Sequence, residues 1–231
     1  TGVQTCALPI LVRSLVDGIS PEAEQQIGDA LFAEVATEFA LLDDTNRVAK
    51  LAEVAAPLLG TLAGGQTNYT FYLAEEPEPN AFALPGGHVV VTTGLLQMAG
   101  RPEELLGVIS HEVAHVTRKH GLRKAIASAG PFLIFRVFLG GDGRGVAGVM
   151  GGASDLLVRQ SFSQAYETEA DDVGWQALVT ARIDPRGMTA MFEKLQAYER
   201  QHRAGVELPS AFASHPALAK RIARQIGRAH V

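Results

Sequence analysis

A mainly helical α+β domain is the fold class this sequence predicts, and three observations carry it. Most of the chain repeats apolar residues at spacings of three and four, the period of a helix face packed on a core. Two stretches rich in strand formers, "YTFYLAEEP" and "HVVVTTGLL", the second directly after the turn "LPGG", call for a small sheet. At 231 residues with 47% hydrophobic content, the chain is long and apolar enough to bury a core of its own.

The first helix is expected to begin at "SPEAEQQ", with Ser20 as N-cap and Pro21 at the first helical position. Ile27, Leu31, Val35 and Phe39 follow on one face. "TNRVAKLAEVAAPLLGTLA" predicts a second amphipathic helix through Val48, Leu51, Val54 and Leu58. After the sheet, "RPEELLGVISHEVAHVTRKHG" has Pro102 at its start, Glu103 and Glu104 in its first turn, basic residues late and Gly121 at its end. That is the polarity a helix dipole favours. Residues 125–158 hold two apolar runs around "GGDGRG", and neither reaches the roughly 20 apolar residues of a membrane span. A buried helical hairpin is one reading of this segment and an interfacial contact with a bilayer is the other. "ETEADDVGWQALVTA", "DPRGMTAMFEKLQAYERQH" and a last helix from about Ala217 complete the pattern.

The formal net charge is −5 and no basic block is longer than "TRKH", so the sequence offers no groove for nucleic acid. Cys6 is the only cysteine, which excludes an internal disulfide and a four-cysteine metal site. The terminal segments "TGVQTCALPI" and "IGRAHV" correspond codon for codon to the two strands of one short sequencing adapter; a signal-peptide remnant in "CALPILV" is the competing reading. On the adapter reading a single domain spans 11–225, truncated at both ends, and 1–10 and 226–231 lie outside the fold.

Three of the seven histidines fall within "HEVAHVTRKH". His111 and His115 are four apart on one predicted helix, so both imidazoles project from the same face and can share a cation such as Zn2+. Glu112, next to the first, can take a proton from the activated water without binding the metal. His120, five residues past His115, points about 140° around a continued helix at roughly 100° per residue, which makes it a surface or capping residue. The longer H-E-x-x-H-x-x-G-x-x-H pattern fails, because Arg118 stands at its glycine and Gly121 at its last histidine. A third ligand is therefore expected from a second helix, where "YETEADDVGW" offers Glu167, Glu169, Asp171 and Asp172. Glu167 and Asp171 share a face and Glu169 points roughly the other way; an acidic, solvated helix start is the plainer alternative.

"NAFALPGGHVVVTTGLL", "EELLGVISHEVAHVTRKHG", "ETEAD" and "SHPALAKRI", in this order, resemble the zinc metallopeptidase family of the CAAX prenyl endopeptidase, HtpX-like proteases and the beta-barrel assembly-enhancing protease. The match covers about residues 20–225. The resemblance implies a zincin-like metallopeptidase domain in which an edge strand of the sheet lines the active-site cleft. It implies one Zn2+ held by His111, His115 and Glu167, with Glu112 as the catalytic base and Asp171 orienting a ligand histidine. It further implies that His215 and Arg221 stabilise the oxyanion, or that His215 swings onto the zinc and blocks it. Ala83, Leu84, Pro85, Gly86 and Gly87 fall in the segment expected to bind an extended peptide beside an edge strand near 86–92.

One departure is Gln164 after Ser163, where many relatives carry arginine. The implied activity is endopeptidase cleavage of proteins in a bacterial cell envelope, periplasmic or membrane-anchored, with possible membrane proximity. The rivals are a chaperone-like or membrane-assembly factor whose zinc site is held closed by His215, and a structural zinc domain, which three protein ligands fit poorly.

Overall fold

Ser20 and Pro21 start a helix as their chemistry requires: the Ser20 hydroxyl accepts from the Ala23 N–H at 3.2 Å, and Pro21 stands where no N–H is needed. A computed structural model of the chain describes residues 12–62, 68–124, 126–127, 162–202 and 218–229. Within them, α1 is Pro21–Glu38 and α2 is Thr45–Leu62, the latter opened by Asp44, whose carboxylate accepts from the Arg47 N–H at 2.9 Å. The strands are β1 Thr70–Ala74, β2 Ala81–Leu84 and β3 His88–Thr92. Then come the short α3 Thr93–Met98, α4 Pro102–Thr117, α5 Gln164–Thr180, α6 Arg186–His202 and α7 Leu218–Ala229. The fold is the expected mainly helical α+β domain with one small sheet. The last helix continues through Ala229, past the boundary at 225 read from the sequence.

The strand order is β1-β3-β2, with β1 parallel and β2 antiparallel to β3. The expectation of an edge strand near 86–92 is therefore corrected. β3 is the central strand, every one of its residues is buried, and the edges are β1 and β2. The physical reason lies in "LPGG": Pro85–Gly87 forms a tight 3-10 turn in which Gly86 takes φ 75°, and this turn folds β2 back onto β3 as a hairpin. Alternation divides the core between the two faces of the sheet. Val89 and Val91 join the larger cluster with α2, α4, α5 and α6, while Val90, Phe82 and Leu84 join Ile27, Leu31 and Val35 of α1. A second difference follows β3 directly, since "TTGLL" continues as helix and not as strand. The Thr92 hydroxyl caps α3 by accepting from the Leu95 N–H at 3.2 Å.

α4 is the axis of the domain, buried from Glu104 to Val116. The Glu104 carboxylate accepts from the Gly100 N–H at 2.7 Å and from the Lys194 ammonium at 2.6 Å, which ties the start of α4 to α6. Burial pushes this carboxyl up, but the Lys194 and Gly100 bonds outweigh it and hold the group below its ordinary value. Close packing on α4 depends on Gly107: a Cβ there would lie 2.4 Å from the Met188 Cα, inside the backbone of α6. Gly107→Ala should therefore force the two helices apart and lower stability by about 1–3 kcal/mol in urea unfolding. Gly60→Ala, in α2 with nothing near a Cβ, should instead raise stability by up to about 1 kcal/mol.

Candidate metal centre

One turn of α4 separates His111 from His115, and their Nε2 atoms lie 3.1 Å apart, both rings buried. α5 crosses α4 where Gly174 lets the backbones approach; a Cβ on Gly174 would stand 3.0 Å from the Ser110 hydroxyl. Ser163 caps α5, its hydroxyl accepting from the Tyr166 N–H at 3.3 Å, so Glu167 occupies the first turn and Asp171 the next. The Glu167 carboxylate spans both histidines, Oε2 at 3.5 Å from His111 Nε2 and Oε1 at 3.5 Å from His115 Nε2. Ligand atoms of His111, His115 and Glu167 lie within 4.8 Å of one another, the one group of this kind among the described residues.

Asp171 Oδ1 sits 3.0 Å from His111 Nδ1. An ionised carboxylate only accepts, so His111 carries a hydrogen on Nδ1, and in its neutral form its Nε2 lone pair is left for a cation. Arg221, on α7, donates from Nε and Nη2 to the two oxygens of Asp171 at 2.9 and 2.7 Å, and its Nη1 pairs with Glu167 Oε2 at 2.6 Å. Its guanidinium lies over the Phe192 ring, 4.5 Å from the centroid. The resemblance implies an oxyanion donor at Arg221, and in this geometry its guanidinium contacts Asp171 and Glu167.

These contacts set the titration of the site. Burial pushes the Asp171 carboxyl up, but the bonds from His111 and Arg221 override it and hold the group at about 2. Burial and Arg221 push His111 down, yet Asp171 and Glu167 raise it to about 9. Glu112, Glu167 and Asp171 are all nearly inaccessible, and the guanidinium of Arg221 pairs with the last two. Two imidazole nitrogens and a carboxylate facing one point, with two further carboxyl groups buried beside them, fit a divalent cation.

A cavity of about 20 Å³ opens beside the centre, bounded by Glu112, His115, Phe82, Ala83, Pro85 and Phe162 among others. That volume is about one water molecule. Of the segment expected to bind peptide, Ala83 and Pro85 border this cavity. Leu84 faces α1, Gly86 packs on Gln25 of α1, and Gly87 is buried beside it. His215 and most of the apolar segment 125–158 lie outside the described residues.

His120 requires a correction. It is fully buried, with Nδ1 3.0 Å from His115 Nδ1 and Nε2 3.2 Å from Glu169 Oε2. The expected 140° offset assumes an unbroken helix, but α4 ends at Thr117 and Lys119 takes φ 54°, which redirects the chain and swings His120 back under His115. His120 could not be placed from spacing, because the left-handed Lys119 between the two histidines leaves no periodic signal.

The charge balance yields a test. Arg221→Met should leave the buried carboxylates without their guanidinium and destabilise the chelator-treated protein by about 3–5 kcal/mol in denaturant unfolding. Added Zn2+ should recover more stability in the variant than in the wild type.

Comparison with known proteins gives this geometry a family. The description "Peptidase family M48" matches residues 43–228. The beta-barrel assembly-enhancing protease of Escherichia coli (strain K12) is 26% identical over 234 residues, covering 96% of this chain and 47% of that protein. The mitochondrial metalloendopeptidase OMA1 of Schizosaccharomyces pombe is 28% identical, covering 93% of this chain and 64% of that protein. The metalloprotease LoiP of Escherichia coli (strain K12) is 31% identical, covering 88% of this chain and 79% of that protein. The chain spans about half the length of the beta-barrel assembly-enhancing proteases it matches. Among the described residues no helix is long and apolar enough to cross a membrane. The ordered motifs, the buried His-His-Glu group on two crossed helices and the match over 43–228 lead to one statement: the chain belongs to peptidase family M48.

Proposed function

We propose that the chain is a zinc-dependent endopeptidase. The observation that carries this reading is the convergence of His111, His115 and Glu167 in a buried, negatively charged pocket, with Glu112 on the same helix beside a water-sized cavity. The zinc ion, when bound, supplies Lewis-acid polarisation of the scissile carbonyl and acidifies the attacking water. Glu112, one residue beyond His111, is the base: its carboxylate accepts the water proton and returns it to the leaving amide nitrogen. Asp171 keeps the hydrogen of His111 on Nδ1, and Arg221 holds Asp171 and Glu167 in place. A peptide docks by backbone pairing along β2, whose Ala83 borders the cavity; the tight turn at Pro85–Gly87 shapes that edge. His215 is assigned the oxyanion or blocking role on the resemblance alone.

The substrates on this reading are proteins. The name of the beta-barrel assembly-enhancing protease favours a role in the cell envelope, and those of the OMA1 relatives place kindred enzymes in mitochondria. Casein cleavage, metal content and chelator inhibition test the proposal together. Glu112→Gln should keep its zinc and lose about 10²–10⁴-fold in cleavage rate, whereas Glu167→Ala should lose the zinc as well. Undiminished cleavage by Glu112→Gln contradicts the assignment.

A further inference from the structure

Each ligand histidine needs something to hold its second ring nitrogen, and the two solve this differently. His111 leans directly on Asp171. The His115 Nδ1 meets His120 Nδ1 at 3.0 Å, and His120 Nε2 reaches Glu169 Oε2 at 3.2 Å. We infer that Glu169 and His120 form a relay that positions the metal ligand His115.

The hydrogens follow from the bonding partners. A histidine that offers Nε2 to a cation carries its hydrogen on Nδ1. His115 Nδ1 then donates to His120 Nδ1, which must be bare. A neutral His120 carries its own hydrogen on Nε2, the atom that faces the acceptor-only carboxylate of Glu169. One arrangement satisfies every atom, and it leaves the His115 lone pair at Nε2, beside His111 Nε2 and Glu167. Stacking fixes the ring planes: Phe162 lies on His115 with centroids 4.2 Å apart, and Tyr166 on His120 at 4.2 Å and 10°. Arg118 Nε, 3.4 Å from Glu169 Oε1, steadies the outer end. The alternating Glu167, Glu169 and Asp171 of α5 thereby divide the work: one oxygen donor to the cation, and one carboxylate behind each histidine. The relay rests on the zinc-site reading above and deepens it.

Two measurements test it on the whole chain: the dissociation constant for Zn2+ by competition with a chromophoric chelator, and imidazole 1H–15N spectra of the zinc-free protein, which report the tautomer of His115. Glu169→Ala, at a half-exposed position, and His120→Phe, which keeps the stacked ring, should each weaken zinc binding ten- to a hundredfold, the usual effect of losing such an outer partner. Both should also convert His115 from a single Nδ1–H tautomer to a mixture. His120→Asn, which restores an acceptor near the Nδ1 position, should recover part of the affinity. Wild-type affinity in either Glu169→Ala or His120→Phe overturns the relay. In the same assay His111→Ala should bind no zinc at the site; if it binds as tightly as the wild type, the metal-centre reading falls and the relay with it.

Discussion

Three carboxyl groups buried where α5 packs on α4 are the constraint on which this structure turns. Glu112, Glu167 and Asp171 are each nearly sealed from solvent, and Arg221, reaching across from α7, pairs with the last two as a permanent cation. Isolated charges so placed would cost several kcal/mol each. Two of them are held by partners: Asp171 by two guanidinium nitrogens and the His111 ring, Glu167 by an ion pair with a third guanidinium nitrogen. A divalent cation between the two histidines and Glu167 would complete the arrangement, and the same carboxylates, Asp171 and Glu167, raise the basicity of His111 against its burial.

The rest of the fold is arranged so that three helices can meet there. Gly107 and Gly174 remove the side chains that would keep α6 and α5 away from α4. The Glu104–Lys194 bond pins the start of α4, and the β-sheet packs against its flank through Val89 and Val91. α1 covers the opposite face of the sheet, where His88 bridges Asp29 and Tyr72 at 2.9 and 3.0 Å beneath the Phe32 ring. Packing and chemistry therefore use the same close approaches, and loosening them for either purpose would move the ligands.

How much of this was legible in the sequence depended on periodicity. His111 and His115 were readable because they sit one turn apart on a well-marked helix, and Glu167 and Asp171 share a face by the same rule, but resemblance chose Glu167 from the four acids of that segment. Ser20, Asp44 and the core stripe of α1 follow local rules of the same kind. Strand order was not readable: "HVVV" and "AFAL" are both apolar runs, and only the fold-back at Gly86 decides which lies at the edge. The bearing of His120 was lost at Lys119, whose positive φ no residue count can anticipate. Arg221 came from resemblance, and its grip on Glu167 and Asp171 is a contact across fifty or more residues that no local pattern encodes.

The most direct test of a cation held by two imidazoles and a glutamate is X-ray absorption at the zinc edge on protein loaded with one equivalent of Zn2+. The account predicts two imidazole nitrogens completed by oxygen donors and no sulfur, with the imidazole contribution falling in His111→Ala. A zinc environment made of oxygens alone, or one unchanged by His111→Ala, would contradict it.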